Sequence, residues 1–178
     1  WGYNYYGQLG NGTTTKSSNP IKIMNDVVSC AGGYYHTIAL KKDGTVYTWG
    51  RNNCGQLGNG TTTDRTSPVA IQIYDHTNVL TSDGVKYGII PDNGNYSFES
   101  AGEVAQVAAG GSHTAAVTKD GDLYMWGYNN YGQLGVYTNI DKNAPILVNN
   151  STTALPAKSV KYVALGGSHS AAITKDGS

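Results

Sequence analysis

Three histidines, His36, His113 and His169, are the residues of this sequence best suited to acid–base or metal chemistry. The imidazole group titrates near neutral pH and is a common metal ligand. Each of the three follows a glycine by three positions, so all three occupy one register of a repeated unit. A catalytic site needs unlike groups that converge on one point, whereas a repeated residue needs only a repeated structural task. We therefore predict that each imidazole is structural and bonds a neighbouring backbone group; a metal bound by histidines around a central shaft is the alternative.

The two cysteines are too few for a disulfide framework. Cys30 occupies the place that Val107 and Val163 take in the other units, which predicts a small buried position. Cys54 lies in a different part of the unit, near a turn, so we predict two free thiols.

No other group of residues has the spacing that a cofactor, a metal or a catalytic dyad requires. Residues 92–95 contain Asp-Asn-Gly-Asn, but the spacing and the terminal glutamate of an EF-hand loop are absent. No Cys/His spacing typical of zinc sites occurs, and no nucleophile pairs with a base above chance. The sequence therefore predicts no catalytic, cofactor or metal residues, and a protein that is not an enzyme.

The elements that position these residues form a repeat. A phrase with Trp, Gly, Asn, Gly, Gln, Leu and Gly at fixed places occurs at residues 1–10, 49–58 and 126–135. Self-similarity at a period near fifty residues indicates a repeat architecture. We divide the chain into units of about 1–48, 49–125 and 126–178.

Four short strands per unit, and no helix, are predicted from turn signals and apolar runs. An Asp-Gly pair between alternating runs predicts a hairpin, so His36–Leu40 should pair antiparallel with Thr45–Trp49, and His113–Val117 with Asp122–Trp126. A third strand should start at the proline of each unit, where the missing N–H costs least, and a fourth should lead into the glycines. The prolines are Pro20, Pro68 and Pro145, and the fourth runs begin at Val27, Val104 and Val160.

The order Gly-x-x-His, Asp-Gly, Trp-Gly-x-Asn-x-x-Gly-Gln-Leu-Gly resembles the repeat of the RCC1 (regulator of chromosome condensation) family. The resemblance implies an all-β fold, a β-propeller of four-stranded blades, of which this chain would supply about three in a seven-bladed ring. Such an arc would leave an apolar blade face uncovered at each end. We therefore expect either about four further repeats in the natural protein or self-association of two arcs.

Length variation between units is confined to one connection, between the proline strand and the Gly-Gly strand. The second unit carries 29 residues more than the first there, in an insertion at residues 74–102, and the third carries 8 more. Insertions that collect in one loop map to one face of a repeat assembly, often its binding face. Tyr87, Tyr96 and Phe98 lie in the large insertion and are the predicted partner-binding residues.

Charge and composition limit the class of partner. Twelve basic and twelve acidic residues give no net charge, and a nucleic-acid or anionic-membrane partner would normally require a basic surface. We predict a protein partner and no nucleic acid or membrane. Low charge with abundant Tyr, Asn, Thr and Gly favours an extracellular or cell-surface protein, of bacterial type.

The predicted function is a non-catalytic protein-interaction module that binds its partner through loop insertions on one face. The resemblance to the RCC1 family implies several rivals. One is a guanine-nucleotide exchange factor for a small GTPase, and another is a secreted enzyme inhibitor; a carbohydrate-binding protein is the alternative from a different class. The family's plant photoreceptor branch depends on clustered tryptophan and arginine, whereas the Gly-x-x-His phrases here carry Tyr and Ser.

Overall fold

The computed structural model describes residues 1–73, 103–148 and 155–178, and within them it forms ten β-strands. The insertion at residues 74–102 and residues 149–154 lie outside the described part. The strands are β1 Val27–Gly32, β2 His36–Lys41, β3 Val46–Gly50, β4 Arg65–Ile71, β5 Val104–Ala109, β6 His113–Thr118, β7 Leu123–Gly127, β8 Lys142–Val148, β9 Val160–Leu165 and β10 Ser170–Thr174.

The strands form two four-stranded antiparallel sheets, ordered β1-β2-β3-β4 and β5-β6-β7-β8, and a third pair, β9-β10. Both predicted hairpins are confirmed, with His36 opposite Gly50 and His113 opposite Gly127. The described residues contain no helix, and so no segment with the helical length and apolarity that a membrane crossing requires.

Each sheet packs its face against the next, as propeller blades do. Ile38, Leu40 and Val46 of the first sheet meet Val107 and Trp126 of the second in one core cluster. A second cluster joins the second sheet to β9–β10, where Val163 takes the place of Val107. Burial of apolar area between sheets, rather than within one, holds the repeats in order.

The proline strands differ from the prediction in two ways. Residues 20–23 form no strand. The corresponding strands β4 and β8 pair with β3 and β7, and no described strand pairs with residues 20–23. Only the isolated bridge between Gly2 and Ser17 forms. Pro68 and Pro145 lie inside their strands instead of starting them, at a register shift of the outer edge strand. A bulged edge position tolerates proline because no ladder hydrogen bond is lost.

Cys30 is exposed, and the prediction that it is buried was wrong. Its counterparts Val107 and Val163 are buried because each faces the preceding sheet. Cys30 belongs to the first described sheet, whose corresponding face has no sheet packed against it among the described residues. Both cysteines are free thiols, as predicted.

The glycine of the phrase before Gln occupies a turn with positive φ, as predicted: 78° at Gly7, 76° at Gly55 and 76° at Gly132. Gly55 also lies against the next sheet, where an added Cβ would overlap the Cα of Asn143. At Gly132 the nearest atom to such a Cβ is 3.6 Å away.

Substitution of these two glycines should separate backbone strain from the contact between sheets. We expect Gly55→Ala to lower the free energy of unfolding by about 2–3 kcal/mol and Gly132→Ala by about 1 kcal/mol. Urea unfolding of both variants measures the difference. Equal losses would show that the approach of Asn143 contributes nothing.

Candidate interaction face

The histidines join neighbouring sheets. His36 Nε2 lies 2.9 Å from Thr114 Oγ1, and that hydroxyl donates to the backbone oxygen of Gln56 at 2.8 Å. A threonine hydroxyl has one proton to donate, so His36 must donate its Nε2–H to Thr114. His113 repeats the arrangement with Ser170, at 3.1 Å. His36 and His113 thus have the predicted structural role, although Nε2 of each bonds a side-chain hydroxyl of the next sheet. A backbone hydrogen bond with His169 also acts on His113, and His169 itself is exposed.

Burial keeps these imidazoles neutral. It lowers the pKa of His36 to about 4, with a smaller contribution from the charge of His113. Burial is likewise the main cause that lowers the pKa of His113 to about 4. Within the described ranges, no three His, Cys, Asp or Glu side chains are grouped closely enough to hold a metal. Through their bonds to Thr114 and Ser170, His36 and His113 link neighbouring sheets.

The predicted partner-binding residues Tyr87, Tyr96 and Phe98 lie outside the described residues. The face to which their insertion attaches is nevertheless defined, because Glu103 follows the insertion directly. Its backbone oxygen accepts from Lys119 N at 2.8 Å, and its carboxylate pairs with Lys119 Nζ at 2.6 Å. Lys119 lies in the β6–β7 hairpin turn, so Glu103, the first described residue after the insertion, lies on the Asp-Gly face.

The opposite face, formed by the β1–β2 and β3–β4 connections and by the first phrase, carries a tyrosine cluster that the sequence analysis did not single out. Neighbouring ring centroids are 5.0–6.5 Å apart, which is the range of favourable aromatic pairs. Desolvation and the neighbouring tyrosines raise the pKa of Tyr3, so its hydroxyl stays uncharged. The members are Tyr3, Tyr5, Tyr6, Tyr34 and Tyr35, and three of them are well exposed: Tyr3, Tyr5 and Tyr34.

Arg51 lies beside this cluster, and together they define what we call the tyrosine–arginine face. Its guanidinium carbon is 4.7 Å from the ring centroid of Tyr6 and 5.7 Å from that of Tyr35. Cation–π attraction of this kind contributes roughly 0.5–1 kcal/mol at exposed sites. The backbone N–H of Arg51 also donates to the backbone oxygen of Tyr35 at 2.8 Å. Arg51 and Tyr35 are therefore in contact through both their backbones and their side chains.

Buried asparagines make the supporting loops rigid. Asn52 Oδ1 accepts from Leu57 N at 2.9 Å, while Asn52 Nδ2 donates to the backbone oxygens of Thr61 and Thr63. Asn4 and Asn129 make equivalent bonds in their own phrases. The exposed aromatic rings thus lie on or beside loops whose two ends are joined by side-chain hydrogen bonds of a buried asparagine.

Tyr34 extends this face across the neighbouring repeats. Its backbone N–H donates to Gly111 O at 3.1 Å, and Gly111 N donates to Gly166 O at 3.1 Å. A Cβ added at Gly111 would lie 3.0 Å from the Tyr34 ring, and one added at Gly167 would lie 2.7 Å from its hydroxyl. Glycine at these two positions leaves the room that the Tyr34 side chain occupies.

Several members of the tyrosine–arginine face depart from the other copies of the repeat, whereas Tyr3 and Tyr6 recur as Tyr128 and Tyr131. Tyr34 stands where Gly111 and Gly167 do, and Arg51 stands where Tyr3 and Tyr128 do. A residue that departs from a repeated pattern is not required by the repeated scaffold. That departure is the sequence signal that could have identified this face.

A cavity of about 690 Å³ lies between the second sheet and β9–β10, lined by Leu123, Met125 and Leu134 on one side and by His169 and Ala172 on the other. In the first interface the corresponding space holds Tyr124 and Trp126 of strand β7. The pair β9–β10 has no such third strand among the described residues. The lining residues of the cavity are thus those through which the second sheet and β9–β10 face each other.

The family model for the regulator of chromosome condensation (RCC1) repeat matches residues 1–40, 43–81 and 120–173. A second model of the same description matches residues 27–56 and 104–133. The chain belongs to the RCC1 repeat family. The sequence resemblance and the propeller fold expected from it are thereby confirmed.

Relatives in this family share the repeat across nearly the whole chain. The ultraviolet-B receptor UVR8 of Arabidopsis thaliana is 32% identical over 99% of this chain and 34% of its own length. The probable E3 ubiquitin-protein ligase HERC6 of Homo sapiens is 35% identical over 99% of this chain and 15% of its own. The chain thus spans about a third or less of these relatives, and in the ligase the matched part is an RCC1 repeat region rather than a catalytic domain.

Solved structures of the yeast RCC1 protein agree with the fold. Prp20p of Saccharomyces cerevisiae, whose structure was described with its binding to Gsp1p and histones, superposes with a TM-score of 0.65 at 22% identity. The match covers 97% of this chain and 38% of Prp20p. Yeast RCC1 bound to Kap60 gives a TM-score of 0.69 at 24% identity, over 99% and 37% of the two chains. The RCC1 repeats here are accordingly part of an RCC1-type propeller.

Proposed function

We propose that this chain is a non-catalytic protein-interaction module built on RCC1 blades. The observation that carries the proposal is the tyrosine–arginine face. Tyrosine and arginine are enriched at the energetic centres of protein interfaces, and tyrosine supplies contact area at low entropic cost because it has only two side-chain torsions. Solved relatives of the same fold are described with protein partners, namely Gsp1p, histones and Kap60.

Composition supports the finer form of this proposal, a secreted or surface module of bacterial type, in which one propeller face covers a partner protein. Exchange-factor activity towards a small GTPase is the narrower rival, suggested by the fold shared with Prp20p. Self-association through the outer sheets belongs to the same proposal, because Val28 of the first sheet and Tyr162 and Ile173 of the pair β9–β10 are exposed.

The test is affinity purification from the source organism, with the intact chain and a Tyr5→Ser/Tyr34→Ser variant as paired baits. We expect one or more proteins to bind the intact chain saturably and to be depleted at least tenfold on the variant. The matched control is Tyr162→Ser, since Tyr162 is also an exposed tyrosine but lies on β9, away from the cluster. Proteins retained equally by all three baits would contradict the proposal.

The insertion remains a second predicted contact. Trimming residues 74–102 to the length of the corresponding connection in the first unit should leave the melting temperature within a few degrees. It should also abolish binding of any partner held by Tyr87, Tyr96 and Phe98. Calorimetric titration of the trimmed chain with the partner measures this, and undiminished affinity would show that the insertion makes no contact.

A further inference from the structure

The guanidinium group of Arg51 is held in place by neighbouring rings, yet no hydrogen-bond acceptor pairs with it among the described residues. Its carbon lies over the rings of Tyr6 and Tyr35, at 4.7 and 5.7 Å, and its backbone is bonded to Tyr35. Ordering a long cationic side chain costs rotamer entropy, and stacking on two rings offsets part of that cost. The group is therefore positioned before any partner arrives.

In the part of the chain that the structure describes, no carboxylate pairs with Arg51. The three ion pairs there join Lys41 to Asp43, Lys119 to Glu103 and Lys158 to Asp120. Two carboxylates are near Arg51. Asp64 Oδ1 accepts from the N–H of the next residue, Asn52, at 2.7 Å, and the charge of Asp141 acts on Cys54, as that of Arg51 does. One oxygen of Asp141 already accepts from Asn129 N at 2.7 Å. Among the described residues the Arg51 guanidinium forms neither an ion pair nor a hydrogen bond, so its donors are available to a ligand.

The chemistry around Arg51 selects the kind of ligand. A guanidinium matches a carboxylate through two parallel hydrogen bonds, and such a pair is about twice as strong as a neutral hydrogen bond. A nucleic acid needs several cations along its phosphates, and Arg51 is the one cation within this cluster of uncharged tyrosines. A single carboxylate with apolar or planar groups on either side fits the face better.

We propose that the tyrosine–arginine face binds an extended segment of a partner protein, with an Asp or Glu side chain of that segment paired to Arg51. Residues on either side of the acid lie against Tyr3, Tyr5 and Tyr34, and Tyr34 carries the contact across the loops at Gly111 and Gly167. This inference rests on the proposed interaction function and adds the chemical identity of the ligand.

The test uses a phage-displayed library of random dodecapeptides selected on the 178-residue chain. We expect the selected peptides to be enriched in Asp or Glu next to proline, aromatic or aliphatic residues. Replacing the acid of a selected peptide by its amide should weaken binding at least tenfold. Raising sodium chloride from 50 to 500 mM should weaken it several-fold, because exposed ion pairs are screened.

The protein variants complete the design. Arg51→Gln should lose at least tenfold in affinity for the selected peptides, and Arg51→Lys should lose less because it keeps the charge. The matched control is Lys158→Gln, which removes an exposed cation elsewhere on the chain and should bind as the parent does. Melting curves establish that each variant is folded, as expected for a surface substitution.

Three results would overturn the inference. The first is selection of peptides that lack acidic enrichment but lose affinity when Tyr34 is replaced. Such peptides would show that the face binds proteins without selecting carboxylates, and the proposed function would stand. Acidic peptides that bind Arg51→Gln undiminished would show attachment elsewhere. Binding of neutral oligosaccharides to the face, with no peptide selected, would overturn both this inference and the proposed function.

Discussion

Replacing Trp126 with alanine is expected to lower the free energy of unfolding by about 3–5 kcal/mol, the usual cost of truncating a fully buried tryptophan. Trp126 is 0% exposed and belongs to the core cluster between the first and second sheets. Its indole N–H donates to the backbone oxygen of Gln56 at 3.0 Å. Substitution therefore opens a cavity at the interface and leaves a carbonyl with one partner fewer.

The repeat supplies the matched control for this experiment. Trp1 holds the same place in the first phrase, but it is 74% exposed. Trp1→Ala should change the free energy of unfolding by about 0.5 kcal/mol or less. Urea unfolding of the two variants beside the parent chain gives the comparison. Equal effects would mean that the interface between sheets does not determine stability.

Features set by residues close in sequence could be predicted. The Asp-Gly pairs at residues 43–44 and 120–121 locate both hairpins, because a short turn fixes which residues of the two flanking strands pair. The copies of the Trp phrase at residues 49–58 and 126–135 then place β3 and β4 at the same spacing as β7 and β8. The resemblance to the RCC1 family predicted that these sheets are blades of a propeller.

Features that depend on a neighbouring repeat could not be predicted in the same way. The hydrogen bond between His36 and Thr114 joins residues 78 positions apart. No residue near either of them in the sequence indicates this pairing. Cys30 was expected to be buried because its counterparts are, yet burial there depends on the sheet that packs against it. A repeat pattern predicts the conformation of each position, but its burial and its hydrogen-bond partners depend on the sheet packed against it.

The tyrosine–arginine face combines both kinds of information. Its members come from residues 3–6, 34–35 and 51, and they meet because the first phrase packs beside the first sheet. Length variation pointed instead to the insertion, after which Glu103 lies on the Asp-Gly face. Comparison of residue types between copies, rather than loop lengths, would have pointed to Tyr34, Tyr35 and Arg51.

Acid should destabilise the fold through its buried histidines well before most carboxylates are protonated. The pKa of His36 falls from 6.5 to about 4 on folding, and that of His113 does the same. Above pH 6.5 both groups are neutral in the folded and the unfolded chain, and the stability they confer is fully present. As the pH falls from 6.5 towards 4, the unfolded chain binds protons that the folded chain does not, so stability is lost.

The expected loss from His36 alone is about 3 kcal/mol by pH 4, since each unit of pKa difference corresponds to about 1.4 kcal/mol. Two aspartates act in a lower window. Hydrogen bonds to Thr45 lower the pKa of Asp43, and those from Thr174 and Ser178 lower that of Asp176 to about 2, both from 3.8. The stability these carboxylates provide is present above pH 3.8 and is lost below it, so the interval from pH 6.5 to 4 reports on the histidines.

Urea unfolding at pH 7, 5.5 and 4.5 measures the slope for the parent chain and for a His36→Gln/His113→Gln variant. Glutamine can still donate to Thr114 and Ser170 but cannot take up a proton. We expect the variant to be less stable at pH 7 and to lose much less stability between pH 7 and 4.5. The control is His169→Gln, because His169 occupies the same register with an exposed side chain. If the stability of the double variant falls with pH as steeply as that of the parent, His36 and His113 are not the source of the acid sensitivity.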